Sequence, residues 1–515
     1  MQRSQSKKVK MTDISFQEYS TKPVVIGNIS VLFMKQSRFV PLQMDGDTLR
    51  IAMADPGDFY TIETLKLACN LNIEVCKGRE EDILEAIERL YGTGSQSLEM
   101  IIQAAGKDTD DISSDGLVDA DHLRDLASEA PIIRLVNRLI LNAVEMRASD
   151  IHFEPFENEF KVRYRIDGIL HDVESPPSRL QDAIISRVKI MAKMDIAERR
   201  LPRDGRIKLK VLDKEIDFRV STLPTIFGES LVMRILDRDA LILDLEKIGL
   251  PEDLLPQYVD LISKPYGMIL VTGPTGSGKT TTLYTTLAKI NSPKTKIITL
   301  EEPVEYLLRG INQIQVNTKI GMTFANGLRS IVRQDPDIIL VGEIRDRETA
   351  ETAIQSALTG HLLFSTLHTN DAAGAITRLL DIGVENFLLS STLLGILAQR
   401  LVRVICPHCR KRVEPEEKLL KTMNLSPDKV SGIEFFEGEG CEECKHTGFK
   451  GRIGIFEYLP VDDDIRKEII AKSSTEKIKD LAMNKGILTL RQDGWNKVKK
   501  GITTISEVLR VTLEK

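Results

Sequence analysis

The sequence predicts a multidomain α/β protein organised around a parallel sheet that ends in a phosphate-binding loop. Three observations predict it. Gly273-x-x-x-x-Gly278-Lys279-Thr280 lies between the apolar run Met268-Ile-Leu-Val271, which reads as a buried strand, and Thr281-Thr-Leu-Tyr-Thr-Thr-Leu-Ala288, which reads as a helix. Further strand candidates follow at Lys296–Leu300, Ile338–Val341 and Leu362–Thr366, separated by helical segments, which is the pattern of a parallel sheet. At 515 residues the chain is long enough for three or four domains, each with its own core.

Composition narrows the function classes. Lys and Arg number 70 against 76 Asp and Glu, a formal charge of −6, which argues against broad attraction to nucleic acid or anionic lipid. The first ten residues are polar and basic with no apolar core behind them, and no run approaches the roughly 18 apolar residues of a membrane span. A cytoplasmic protein is expected. Of 6 cysteines, Cys69 and Cys76 read as small core residues, and the other four form two Cys-x-x-Cys pairs.

Residues from about 20 to 92 alternate strand-like runs (Val24-Val-Ile, Val31-Leu-Phe, Leu49–Ala54) with helical patterns such as Asp82–Leu90, a small α/β domain without a catalytic constellation. Residues 1–105 are therefore assigned a docking role. The stretch from Thr93 to about Leu123 turns acidic and small and reads as flexible, so 106–129 is taken as a linker. A second domain, 130–245, opens on the amphipathic helix Pro131–Val144 and continues in strands that alternate apolar with polar residues: Ile151–Glu154, Phe160–Ile166, Arg206–Val211, Ile216–Val220 and Leu231–Ile235. Arg163, Arg165, Arg206, Arg219 and Arg234 fall on the polar face, together a surface suited to phosphate.

The nucleotide domain is set at 246–403. Glycines at 273, 276 and 278 let the backbone turn its N–H groups around phosphates, and the following helix presents its positive end. Gly273, Pro274, Thr275, Gly276, Ser277, Gly278, Lys279, Thr280 and Thr281 are the candidate ATP-binding residues, with Lys279 neutralising phosphate charge and Thr280 offering its hydroxyl to Mg2+. In parallel sheets chemistry collects at the carboxyl ends of strands. Glu301–Glu305 follows the second strand, Glu343 the third and His368 the fourth. Two acidic clusters there can hold magnesium and orient an attacking water.

Cys406-Pro-His-Cys409 and Cys441-Glu-Glu-Cys444 enclose 31 residues (410–440). Four thiolates in two tight turns can close a tetrahedral Zn2+ site with no open position, which makes it structural, and the segment 404–453 is assigned as a zinc-clamped insertion. Residues 454–515 read as helical to the end, with Ser474 and Ser506 opening helices.

Taken together, Gly273–Thr280, Leu328–Asp337, Val341-Gly-Glu-Ile-Arg-Asp346 with Arg347–Ala350, and Thr359–Asn370 closely resemble the secretion ATPase superfamily of type II secretion and type IV pilus motors. The resemblance runs from about residue 130 to the end and includes Ala148–His152, Arg163–Gly168 and the four cysteines. Within the superfamily the short N-terminal domain, Leu397–Arg403 and the cysteines look most like the type II secretion branch.

The resemblance implies a RecA-like ATPase core preceded by a PAS-like α+β domain and followed by a helical C-terminal region. It implies a homo-hexamer that drives pseudopilus assembly, attached to the inner membrane through the cytoplasmic domain of a bitopic secretion protein and meeting an inner-membrane platform protein. Type IV pilus assembly is the alternative. By the same resemblance Gly273–Thr280 is the Walker A loop, Glu301–Glu305 the Asp box, Asp335–Asp346 the Walker B region and Gly360–His368 the His box. Glu301 is then expected to activate water, Glu343 to hold magnesium or its water shell, and Arg219, Arg234, Arg329 and Arg333 to approach the phosphates in a ring. The Asp box reads Glu301-Glu302-Pro303 where the family usually has Glu-Asp-Pro, leaving the part played by Glu302 open.

A nucleic-acid translocase on the same core is disfavoured by the acidic charge and the lack of an aromatic-plus-basic stretch for stacking bases, so no nucleic-acid partner is expected. A GTPase switch would need an Asn-Lys-x-Asp segment, and the sequence has none. Related N-terminal domains bind a cyclic dinucleotide through Arg-Leu-Gly near the start. Pro23–Ser30 carries no such motif, so no cyclic di-GMP binding is expected.

Overall fold

The computed structural model describes residues 31–45, 48–69, 71–91, 120–212, 214–237, 244–423 and 432–513, with Tyr19, Val24, Leu425 and Val430. The chain divides into two compact units. One comprises Met1–Tyr164, His171–Ile207 and Phe218–Arg234, and the other Arg165–Leu170, Lys208–Asp217 and Ile235–Lys515. Among the described residues no helix is long and apolar enough to cross a membrane.

In the first unit, β1 (Phe39–Asp45), β2 (Thr48–Met53) and β3 (Asn72–Lys77) form a three-stranded sheet, antiparallel between β1 and β2 and parallel between β2 and β3. Its core holds Phe39, Leu49, Ile51, Cys76 and Ile87, so Cys76 is a core residue. Cys69 has no described side chain, and Pro23–Ser30, apart from Val24, lies outside the described residues.

The second sheet has the order β6-β5-β4-β9-β8-β7, with β4 at Ala148–Pro155, β5 at Phe160–Ile166, β6 at Ile169–Asp172, β7 at Arg203–Val211, β8 at Lys214–Thr225 and β9 at Gly228–Asp237. Each strand predicted for residues 130–245 is present, whereas Val31-Leu-Phe, read as strand-like, opens the helix Val31–Gln36. Burial alternates strictly along β5, with Phe160, Val162, Tyr164 and Ile166 inward and Arg163 and Arg165 partly exposed, as a sheet with one wet face requires. The helix Ala130–Glu145 covers the dry face with Ile132, Leu135, Val136, Leu139, Ile140 and Ala143. A helix at Ala120–Ser128, burying Leu123 and Ala127, corrects the linker reading at its C-terminal end. Two apolar residues four apart suffice to seat a short helix that acidic composition disguises.

The second unit is built on seven strands in the order β12-β11-β13-β14-β10-β15-β18: β10 at Gly267–Thr272, β11 at Ile297–Glu301, β12 at Asn312–Gln315, β13 at Ile338–Val341, β14 at Leu362–Leu367, β15 at Leu393–Ile405 and β18 at Phe449–Pro460. Between β15 and β18 a small antiparallel pair, β16 (Arg410–Val413) and β17 (Phe435–Gly438), forms its own sheet. All neighbours from β12 to β15 are parallel, and β18 returns antiparallel on the edge. Helices cover both faces, so β10 is buried throughout. Met268 and Leu270 point into one core and Ile269 and Val271 into the other.

The expectation that 454–515 is helical throughout is corrected, because β18 runs on to Pro460 and the four helices Asp463–Ile470, Thr475–Asn484, Leu490–Lys499 and Ile505–Thr512 come after it. Gly451 and Gly454 made the segment look unlike a strand. A Cβ at Gly454 would lie 2.5 Å from Phe456 and 2.9 Å from the Ile248 carbonyl, so glycine there permits close approach inside a strand.

Candidate nucleotide site and tetracysteine cluster

The parallel sheet delivers the predicted residues to one edge. The loop leaves the carboxyl end of β10, Glu301 ends β11, Glu343 lies just past β13 and His368 just past β14. That alignment is the consequence of parallel pairing, with Thr272 opposite Leu367 and Val341 opposite Ser365.

The loop folds back on β15. Gly273 has φ +152° and a Cβ there would meet the Gln399 carbonyl at 2.5 Å, while Gly278, at φ +89°, would place one 2.8 Å from Gln399 Nε2. Gln399 is 2 % exposed, and its Oε1 accepts from the Thr282 hydroxyl at 2.7 Å. This glutamine floor was not assigned a role from sequence. A lone Gln amid Leu393-Leu-Gly-Ile-Leu-Ala is the signal that marks it. Gly278 ends the loop in the left-handed region and the helix Lys279–Ile290 begins at once, leaving Thr280 exposed on its first turn. Thr275 and Pro274 are exposed and Ser277 is buried, its hydroxyl without a hydrogen-bond partner.

Lys279 Nζ donates to the carbonyls of Gly273 at 2.7 Å and Pro274 at 3.1 Å. Burial lowers its pKa to about 8, with the charge of Glu343 working against the shift and that of Arg400 adding to it. Arg400, 8 % exposed, donates to the Asn370 carbonyl at 2.8 Å and so ties β15 to the segment after β14. The Thr272 and Thr369 hydroxyls, 2.6 Å apart, make a second tie.

The acidic residues have distinct surroundings. Glu343 lies between two partners, with His368 Nε2 at 3.0 Å from its Oε2 and Arg345 on its Oε1. Arg345 also reaches Glu302 at 3.2 Å, so one guanidinium joins the Asp box to the Walker B strand, and these carboxylates raise its pKa. Glu302 therefore faces Arg345. Glu301 is 4 % exposed and enclosed by donors from Tyr284, Thr299 and Gln313. Asp346 caps the helix Arg347–Leu358 through Thr349 N at 2.8 Å.

Arg329 pairs with Glu348 at 2.6 Å, and Arg333 donates to the Arg329 carbonyl at 2.7 Å. Arg219 lies on β8 and Arg234 on β9, the latter 3.0 Å from Asp150.

Residues 125–510 match the family described as Type II/IV secretion system protein. The chain belongs to that family. As a phosphate-loop member of it, this secretion ATPase hydrolyses ATP, and its N-terminal residues 10–97 match the MshEN domain. It is 51% identical over 490 residues to the type II secretion system protein E of Xanthomonas campestris pv. campestris, covering 95% of this chain and 85% of the relative. It is 45% identical over 506 residues to the type IV pilus assembly ATPase PilB of Myxococcus xanthus, covering 98% and 89%. The X-ray structure of the Yersinia pseudotuberculosis ATPase DotB superposes with a TM-score of 0.55 at 20% identity over 75% of this chain and 95% of that one, a likeness of fold.

The four cysteines of the secretion ATPase converge. Their sulfurs all lie within 4.8 Å of one another, with Cys406–Cys441 at 3.9 Å, Cys409–Cys444 at 3.8 Å and Cys441–Cys444 at 3.7 Å. Metal–sulfur bonds of about 2.3 Å give a tetrahedron with edges of about 3.8 Å, so the set fits a four-thiolate metal site. Backbone N–H groups of Gly440 and Cys441 point at the sulfurs of Cys409 and Cys444 at 3.3 and 3.2 Å, as thiolate ligands require.

The depressed pKa of Lys279 has a measurable consequence. If the phosphates of ATP take the place of the two carbonyls at Lys279, they favour its charged form, the complex holds more protons than the free protein, and affinity is expected to fall as pH rises past about 8. Calorimetric titration with ATP near pH 8, in buffers of different ionisation heat, is expected to show net proton uptake that is lost in Lys279→Ala.

Proposed function

We propose that this chain is the ATP-driven motor of type II protein secretion, peripherally attached to the cytoplasmic face of the inner membrane and driving pseudopilus assembly as a homo-hexamer. The 51% identity to a type II secretion protein E over 95% of the chain is the observation that carries this reading. Type IV pilus assembly is the second reading, favoured by 45% identity to a pilus assembly ATPase over 98% of the chain.

In this reading Gly273–Thr281 hold the triphosphate and Lys279 exchanges its two carbonyl partners for phosphate oxygens. Mg2+, held by the Thr280 hydroxyl with Glu343 on its water shell, supplies charge neutralisation at the phosphates. His368 and Arg345 fix the Glu343 carboxylate. Arg219, Arg234, Arg329 and Arg333 complete a neighbouring subunit's site, where guanidinium groups stabilise charge on the transferring phosphoryl. The exposed side chains of Arg234, at 55%, and Arg329, at 47%, support that role. Zn2+ is the metal proposed for Cys406, Cys409, Cys441 and Cys444, since four thiolates in tetrahedral spacing suit it and leave no open position. Residues 1–105 dock on the cytoplasmic domain of a bitopic secretion protein, and an inner-membrane platform protein receives the motor's stroke.

Three outcomes test the reading. Lys279→Ala is expected to weaken ATP binding, and Glu343→Gln to retain binding while turnover falls about a hundredfold or more. Turnover and affinity measured on the same preparations check it, and wild-type turnover in Glu343→Gln removes the role. Elemental analysis is expected to find one zinc per chain, lost in Cys441→Ser together with protease resistance between Cys406 and Cys444, because the binding energy of a structural site is folding energy. Deleting residues 1–105 is expected to leave ATP hydrolysis measurable but abolish membrane recruitment and export of a secreted reporter, read by fractionation and secretion assay. A full-length chain that restores pilus assembly instead of secretion selects the second reading.

A further inference from the structure

The family resemblance implies that Glu301 activates water, but its surroundings suit another task. A general base needs a lone pair open to the water it deprotonates. The Glu301 side chain is 4 % exposed; Oε1 accepts from the Thr299 hydroxyl at 2.5 Å and from Gln313 Nε2 at 3.3 Å, and Oε2 accepts from the Tyr284 hydroxyl.

These donors come from three elements that meet at the acidic turn. Tyr284, fully buried, sits on the helix that begins at Lys279. Its hydroxyl oxygen also accepts from the Glu305 backbone N–H at 3.4 Å, and its ring packs edge-on against Tyr306 with centroids 6.4 Å apart. Gln313, on β12, donates to the Tyr306 carbonyl at 3.0 Å and accepts from Leu308 N at 2.7 Å. The turn from Glu301 to Leu308 is thereby fastened to the phosphate-loop helix on one side and to the outermost strand on the other. Glu302, which shares Arg345 with Glu343, rides on that turn.

We infer that Glu301 is a positioning residue, held by the Tyr284 hydroxyl, which fixes the Glu302–Glu305 turn against the phosphate-loop helix and does not take the proton from the attacking water. The inference rests on ATP hydrolysis at this loop. A carboxylate at 301 serves because it accepts from several donors at once, and a neutral amide retains part of that capacity.

Full-length Glu301→Gln, Glu301→Ala, Tyr284→Phe and the double variant Tyr284→Phe/Glu301→Ala test it, through kcat, KM, the pH profile of kcat and ATP affinity measured by titration. Glu301→Gln is expected to lower kcat about threefold, the scale of one weakened hydrogen bond, and to keep the acidic limb of the pH profile. Tyr284→Phe and Glu301→Ala are each expected to lower kcat about tenfold with KM nearly constant, and the double variant to fall well short of the product of the two losses, since both changes remove the Tyr284–Glu301 hydrogen bond. Loss of a hundredfold or more in Glu301→Gln, with the acidic limb gone, makes Glu301 the base and overturns the inference. Additive losses in the double variant, or losses confined to KM, also overturn it. Should Glu301→Ala fail to fold, the Glu301→Gln profile and the Tyr284→Phe split between kcat and KM still decide. Wild-type protein that does not bind ATP would overturn the nucleotide site itself, an outcome separate from these.

Discussion

The phosphate loop of this ATPase depends on how closely its backbone lies against β15. Side chains at 273 or 278 would collide with the carbonyl and amide of Gln399, so glycine at these positions sets the depth at which the loop rests. That depth is fixed in turn by β10, whose residues are buried on both faces and paired in parallel on both sides, to β14 and β15. A strand so confined cannot shift register without turning Met268 and Leu270 into the opposite core. The ends of neighbouring strands, with Glu301, Glu343 and His368, therefore hold constant heights relative to the loop.

Charge within the site is arranged around that fixed geometry. Lys279 is partly buried, and among the described residues its direct partners are two carbonyls and no carboxylate. A polyphosphate competes with neutral acceptors for it, which favours exchange, because charge-assisted bonds are about twice as strong as neutral ones. The carboxylates are engaged elsewhere. Arg345 joins Glu302 to Glu343, and His368 takes the second oxygen of Glu343. A substitution at Arg345 would leave the exposed Glu302 and the partly buried Glu343 carboxylates without their shared cation, so its effects belong to both strands at once.

Much of the fold was legible because its signals are local. The loop motif sits between strand and helix, the paired cysteines have their own spacing, and the alternation along β4, β5, β7, β8 and β9 is visible in each segment alone. What stayed hidden depends on distant partners. Glu301 looks like any acid at a strand end until Tyr284, Thr299 and Gln313 close around it from three elements. Gln399 gains meaning from the loop above it, and β18 looks unlike a strand because Gly454 answers to the close Ile248 carbonyl and Gly451 to a left-handed backbone, φ +84°, instead of strand propensity. The helix Ala120–Ser128 carries too few apolar residues to stand out from acidic surroundings, yet burial of Leu123 and Ala127 seats it.

The tetracysteine cluster stands at the exit of the same sheet. Cys406 directly follows β15, its N–H donates to the Gly448 carbonyl at 3.0 Å, and Ile405 pairs with Phe449 at the start of β18. The ends of the excursion from Cys406 to Cys444 are thus already brought together by the long β15–β18 pairing, whose register runs from Gly395–Pro460 to Ile405–Phe449. A cross-link stabilises chiefly by removing freedom that the chain would otherwise have, and here the strand pairing has removed the freedom of the loop's ends. What remains for the cysteines is order within the excursion, which includes the β16–β17 pair and Phe435 packed against Trp495 with ring centroids 6.0 Å apart. A metal bound at this cluster would therefore govern the surface the excursion presents, whereas β10, β14 and the loop between β10 and its helix keep their own supports in Gln399, Thr369 and Arg400.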